Sequence, residues 1–118
     1  MKYFKPKEFD SPDLPGSGRN MRPELIELLD KIREEFGRPL FVNSGFRTEA
    51  RNVVVGGKDG SAHTLGLAVD LEITNSFERF QLIRLAIKYG IKRIGVGRTF
   101  IHLDIDMDKP QEVAWLYD

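Results

Sequence analysis

Cysteine is absent from this 118-residue chain, which removes disulfides, thiolate metal sites and a cysteine nucleophile at once. The redox state of its compartment therefore leaves no trace in the sequence. Excess charge is missing too. Eighteen basic and eighteen acidic residues give a formal net charge of zero. Nucleic-acid binding usually calls for a basic surplus, so no nucleic-acid partner is expected, and the cluster Lys88, Lys92, Arg93 and Arg98 is too small to change that. No apolar run approaches a membrane span. The opening MKYFKPKEFD lacks the apolar stretch of a signal peptide. These absences predict a chain made in the cytoplasm, with no membrane partner, and a monomer by default. Histidine is scarce as well: with two in the chain, any imidazole chemistry falls on His63 and His102.

What is present suits one domain spanning residues 1–118, because a 41% hydrophobic content supplies one modest core. Pro6, Pro12, Pro15, Gly16 and Gly18 predict an irregular arm over residues 1–22, pinned by Tyr3, Phe4 and Phe9. Pro23 suits a first helical position. Leu25, Leu28, Leu29, Ile32 and Phe36 then recur at helical spacing up to a stop at Gly37. Leu40–Ser44 reads as a short strand, and Thr48 as the cap of a short helix over Ala50–Val54. Leu67–Ile73 and Phe100–Asp106 alternate with period two, as strands with one buried face do. Between them Ser76 is expected to cap a helix that packs through Phe80, Ile83, Ala86 and Ile87 and ends at Gly90. After Pro110 the run QEVAWLY is expected to form a last short helix, with Trp115 and Tyr117 packed. No βαβ rhythm repeats. The fold class expected is α+β, with a small, mainly antiparallel sheet and helices packed on one face.

The two alternating strands carry the chemistry. Leu67, Val69, Leu71 and Ile73 share one face of the first, and Ala68, Asp70 and Glu72 the other. In the second, Ile101, Leu103 and Ile105 oppose His102, Asp104 and Asp106. Pairing the strands would set Asp70 beside His102, with His63 arriving from the Gly-rich turn upstream. Two imidazoles and a carboxylate make a common catalytic zinc set, with a fourth position left for water or substrate. Spacing alone leaves the other reading open, in which these histidines are ordinary hydrogen-bonded residues on a solvated strand face.

Longer motifs add a resemblance. The run SGFRTEARNVVVGGKDGSAHTLGLAVDL (44–71) contains SGFRT, Asn52 with Gly56-Gly57, and SAHTLGLAVD, and GVGRTFIHLD follows downstream. This pattern resembles the zinc D-alanyl-D-alanine carboxypeptidase and endopeptidase family of peptidoglycan hydrolases, whose fold is shared with the Hedgehog signalling domain. The opening YFKPKEF and the stretch LLDKIREEFGRPL resemble the phage and prophage variant, so the likeness covers nearly the whole chain.

The resemblance implies zinc ligands His63, Asp70 and His102. It also implies that Arg47 grips substrate oxygens, a task for which a guanidinium offers several fixed donors. Ser61 is expected either to bind substrate or to orient its loop. Several branches of the family carry a catalytic acid three residues before the last histidine, where this chain has Thr99. Asp104 is the expected general base instead, with Glu72 and Asp106 as weaker alternatives, unless Asp104 serves to orient a ligand histidine. The function implied is zinc-dependent hydrolysis of peptide bonds in peptidoglycan stem peptides or crossbridges, acting at the bacterial wall through a phage lysis system or virion. The rival expectation is a non-catalytic zinc-binding wall or phage structural module.

Overall fold

The computed structural model describes residues 1–117; Asp118, the last residue of the expected domain, lies outside the described residues. The arm is less irregular than expected, since Pro6–Phe9 and Ser17–Asn20 each wind into a 3-10 turn. Phe4 and Phe9 are buried against the core. Tyr3 stays at the surface, where the Arg33 guanidinium covers its ring and Glu34 accepts its hydroxyl.

Helix α1, Pro23–Phe36, starts on proline, whose missing N–H belongs to a turn that has no use for it. It ends at Gly37, which takes the left-handed conformation and donates its N–H to the Arg33 carbonyl. Leu25, Leu29, Ile32 and Phe36 bury one stripe. Strand β1 is shorter than expected, Val42–Ser44. Helix α2, Glu49–Val54, is capped by Thr48, whose hydroxyl accepts the Arg51 N–H. A 3-10 turn, Ala62–Leu65, precedes strand β2, Ala68–Glu72. Helix α3, Ser76–Lys88, is capped by Asn75 rather than Ser76, through the Glu78 N–H. It buries Leu82, Leu85 and Ala86 and leaves Phe80 and Ile87 exposed, so the apolar stripe lies partly on other residues than expected.

Three more strands complete a five-stranded sheet in the order β1-β2-β4-β3-β5. They are β3, Arg93–Val96, β4, Phe100–Asp104, and β5, Val113–Leu116. All pairs are antiparallel except β3 with β5. The sequence reading missed β3, whose four residues are too short to show a period. The expected terminal helix is a strand, and that is a correction with a physical cause. The edge of β3 offers unpaired backbone groups, and Val113, Trp115 and Tyr117 suit a pleated surface better than a one-turn helix. The Val113 N–H bonds the Lys92 carbonyl and the Tyr117 N–H the Val96 carbonyl, which fixes β5 at both ends.

The inner face of the sheet, with Val69, Leu71, Ile94, Ile101 and Leu103, packs with α1 and α3 into one hydrophobic cluster. At about 0.8 kcal/mol per buried CH₂, burial in this cluster is the main favourable contribution to folding. The opposite face carries the polar groups, flanked by Trp115 and Tyr117. Among the described residues no helix is long and apolar enough to cross a membrane.

Candidate metal centre

Sheet register builds the site as one row. Ser44 pairs with Asp70, Asp70 with His102, His102 with Gly95, and Gly95 with Trp115. Partners in register point to the same side of a sheet, so four strands deliver side chains to one line across the polar face. The 3-10 turn before β2 brings His63 above it, and the two imidazole rings meet edge to face with centroids 5.2 Å apart. One ligand atom from each of His63, Asp70 and His102 lies within 4.8 Å of the others, and both histidines are buried.

Hydrogen bonds orient both rings. His63 Nδ1 is 2.8 Å from the Gly45 carbonyl, which can only accept, so Nδ1 carries the proton and Nε2 a lone pair. That lone pair faces Asp70 Oδ1 at 3.3 Å. His102 meets a carboxylate at each nitrogen, with Nε2 2.7 Å from Asp104 Oδ2 and Nδ1 2.9 Å from Asp70 Oδ1, so it can donate to Asp104 and offer Nδ1 to a cation that takes the place of a proton shared with Asp70. His63 Nε2 and His102 Nδ1 thus converge on the Asp70 carboxylate, and such a set needs a proton or a cation at its centre. The donor set fits a divalent ion that takes nitrogen and oxygen, with an open side for a fourth ligand. The titration behaviour agrees. Burial pushes Asp70 upward, yet hydrogen bonds from His102 and His63 and their charge hold it well below the usual carboxylate range. Burial pushes His102 downward, but hydrogen bonds to Asp104 and Asp70 raise it above its ordinary value.

The expected site residues do not all share this position. Arg47 does: its Nη2 is 4.0 Å from Asp70 Oδ2. Asn52 Oδ1 and Ser44 Oγ hold it at 3.0 and 3.2 Å. Asn52 is buried and donates in turn to the Lys58 carbonyl. Gly57 makes this bracket possible, because a Cβ there would fall 1.9 Å from Asn52 Oδ1. The motif Asn52 with Gly56-Gly57 therefore serves to position Arg47. A cavity of about 260 Å³ opens beside Asp70 and Arg47. Ser61 Oγ accepts the His63 N–H and so caps the turn that carries the first histidine.

Asp104 sits differently from the expectation of a free general base. It is 1% exposed. Its Oδ2 hydrogen-bonds His102 Nε2 at 2.7 Å, and its Oδ1 accepts the Arg93 Nε–H at 2.7 Å and the Asp106 N–H at 3.1 Å. Burial raises its carboxyl, but these hydrogen bonds and the Arg93 charge keep it ionised below its ordinary value. The two alternatives stand no closer to the task. Glu72 is exposed and lines a separate cavity with Arg38 and Glu78. Asp106 is buried and binds the Asp108 N–H and the Lys109 ammonium.

Sequence reasoning missed three residues here. Arg93 stacks its guanidinium on Trp115 at 4.9 Å while binding Asp104. The Trp115 and Tyr117 rings lie 5.4 and 6.2 Å from the His102 ring. Trp115 and Tyr117 stand two apart, the spacing that shares a strand face, but that signal is lost once the run is read as a helix.

The sequence model of the family described as Peptidase M15 matches residues 2–104 of this chain. Among curated proteins, none matches it.

Proposed function

The chain belongs to the Peptidase M15 family, the family of zinc D-Ala-D-Ala carboxypeptidases, and from that premise we propose that it is a zinc-dependent hydrolase of peptide bonds in peptidoglycan stem peptides or crossbridges, acting at the bacterial wall. The observation that carries this reading is the convergence of two buried imidazoles and a carboxylate beside a bracketed arginine.

His63 Nε2, His102 Nδ1 and an Asp70 oxygen would hold the zinc. Zinc bound there supplies Lewis acidity, polarising a carbonyl and making water acidic near neutral pH. The remaining work belongs to the chain. Gly45 and Asp104 keep the two rings in the binding tautomer. Asp104 is thereby a positioning residue, and the role of base does not suit it. Arg47, preset by Asn52 and Ser44, orients a substrate oxygen next to Asp70, and Ser61 holds the turn that presents His63. The net reaction consumes one water: the C–N bond breaks, the hydroxyl joins the carbonyl carbon and the proton joins the amine.

One observation favours a second reading, a zinc-binding module without catalysis. Asp104 is fully engaged, and position 99 is an exposed threonine rather than an acid. Incubating zinc-loaded protein with purified peptidoglycan and identifying released fragments by mass spectrometry separates the two. New amino and carboxyl ends that vanish with chelator support the hydrolase; an intact wall with bound protein supports the module.

A further inference from the structure

The family match stops at Asp104, and β5 lies beyond it. This strand nevertheless builds one wall of the site. Trp115 falls in the same cross-sheet row as Asp70 and His102. The row's one member without a side chain, Gly95, makes the space: a Cβ there would meet Tyr117 Cε2 at 2.4 Å and Trp115 Nε1 at 2.8 Å. Both rings therefore lean over Gly95 toward His102. Tyr117 is held in place, since its backbone N–H bonds the Val96 carbonyl at 2.9 Å and its ring packs on Phe100 with centroids 5.0 Å apart. Its side is still open, with 39% of the residue exposed.

Hydrolysis of a peptide bond develops negative charge on the carbonyl oxygen, and preset donors around that oxygen lower the barrier. Arg47 supplies donors on the β1 side of Asp70. On the His102 side the polar groups are already committed. Asp104 is engaged by His102, Arg93 and Asp106, and Arg93 is divided between Asp104 and the Pro110 carbonyl. The Tyr117 hydroxyl is the exception: the Trp115 N–H hydrogen-bonds its oxygen, but its own proton has no acceptor among the described residues, and a phenol keeps that proton at neutral pH. The Tyr117 ring centroid lies 6.2 Å from that of His102, on the side away from Arg47 in the sheet order.

We propose that Tyr117 is a further catalytic residue, whose O–H donates a hydrogen bond to the scissile carbonyl oxygen from the β5 side, opposite Arg47, as that oxygen gains charge. This rests on the hydrolase reading, and the test separates the two. Tyr117→Phe removes the hydroxyl and keeps the ring. Zinc content and melting temperature should match the parent chain, while kcat on a wall-derived peptide falls about 10²–10³-fold with KM nearly unchanged. A phosphinate peptide, whose two oxygens imitate the tetrahedral state, should bind the variant more weakly by a similar factor in calorimetry, and a ground-state peptide should not. Unchanged kcat, or a loss confined to KM, overturns the assignment. If the parent chain hydrolyses no wall peptide, the hydrolase reading falls and the phosphinate comparison decides for Tyr117 alone. Tighter binding by the parent chain than by Tyr117→Phe keeps the contact, and equal binding or none by both removes it.

Discussion

His102 lies between two carboxylates, and to bind a cation beside Asp70 it must donate to Asp104 and keep a lone pair on the other nitrogen. Which nitrogen carries the proton decides whether the ring can serve as a ligand, and Asp104 makes that choice. Asp104→Asn keeps an oxygen that can accept from Nε2 but removes the charge, and it exposes Arg93 to an unpaired buried position. The expected outcome is a zinc affinity lower by about 10–100-fold, with activity recovered when zinc is raised to saturation. Titration of the chelated variant with zinc, followed by rate measurements at each concentration, checks this. A rate that stays about 10²–10⁴-fold down at full occupancy would instead restore Asp104 to the role of base.

At the scale of elements, the site is assembled by close approaches that only small residues permit. Gly57 admits the Asn52 amide, which presets Arg47 at the start of α2. Gly57→Ala should therefore displace Asn52, and with it Arg47, while β2 and β4 keep the metal group intact. The expected result is a fall in kcat/KM of one order of magnitude or more, with zinc stoichiometry retained and a stability loss of about 1–3 kcal/mol by denaturant titration. Loss of zinc would show that the α2 bracket supports the ligands themselves. The same scale explains what was legible beforehand. β2 and β4 were readable because alternation over Leu67–Ile73 and Phe100–Asp106, two residues longer than each strand proves to be, places aliphatics inward and Asp70 and His102 outward, and α1 because proline and glycine mark its ends. β3 and β5 were not. β3 is four residues long, and β5 becomes a strand only because β3 offers an open edge, which no local propensity reveals. The Arg93–Asp104 pair and the aromatic wall went unread for that reason, since both need β3 and β5 in register.

For the molecule as a whole, folding and metal binding use opposite faces of one sheet. The hydrophobic cluster of α1, α3 and the inner face involves none of the three candidate ligands. The chain should therefore fold without metal and be stabilised by it, unlike small domains that exist only when loaded. At a thousandfold excess of zinc over its Kd the gain is about 4 kcal/mol, which for a chain of this size raises the melting temperature by roughly 15 °C. His63→Ala and His102→Ala should remain folded and lose that rise. The pH dependence follows from His102. Its pKa is raised in the folded chain, so in the chelated protein its contribution is fully present below the unfolded value of about 6.5 and is lost as pH climbs through the raised value. Zinc acts in the other direction, because it competes with that proton and gains as the proton leaves. The gap between loaded and chelated melting temperatures should then widen from pH 6 to pH 8. Scanning calorimetry across that range checks it. A gap that stays constant would mean that the metal does not replace a proton on His102, and a chelated chain with no melting transition would mean that the core cannot hold the sheet alone.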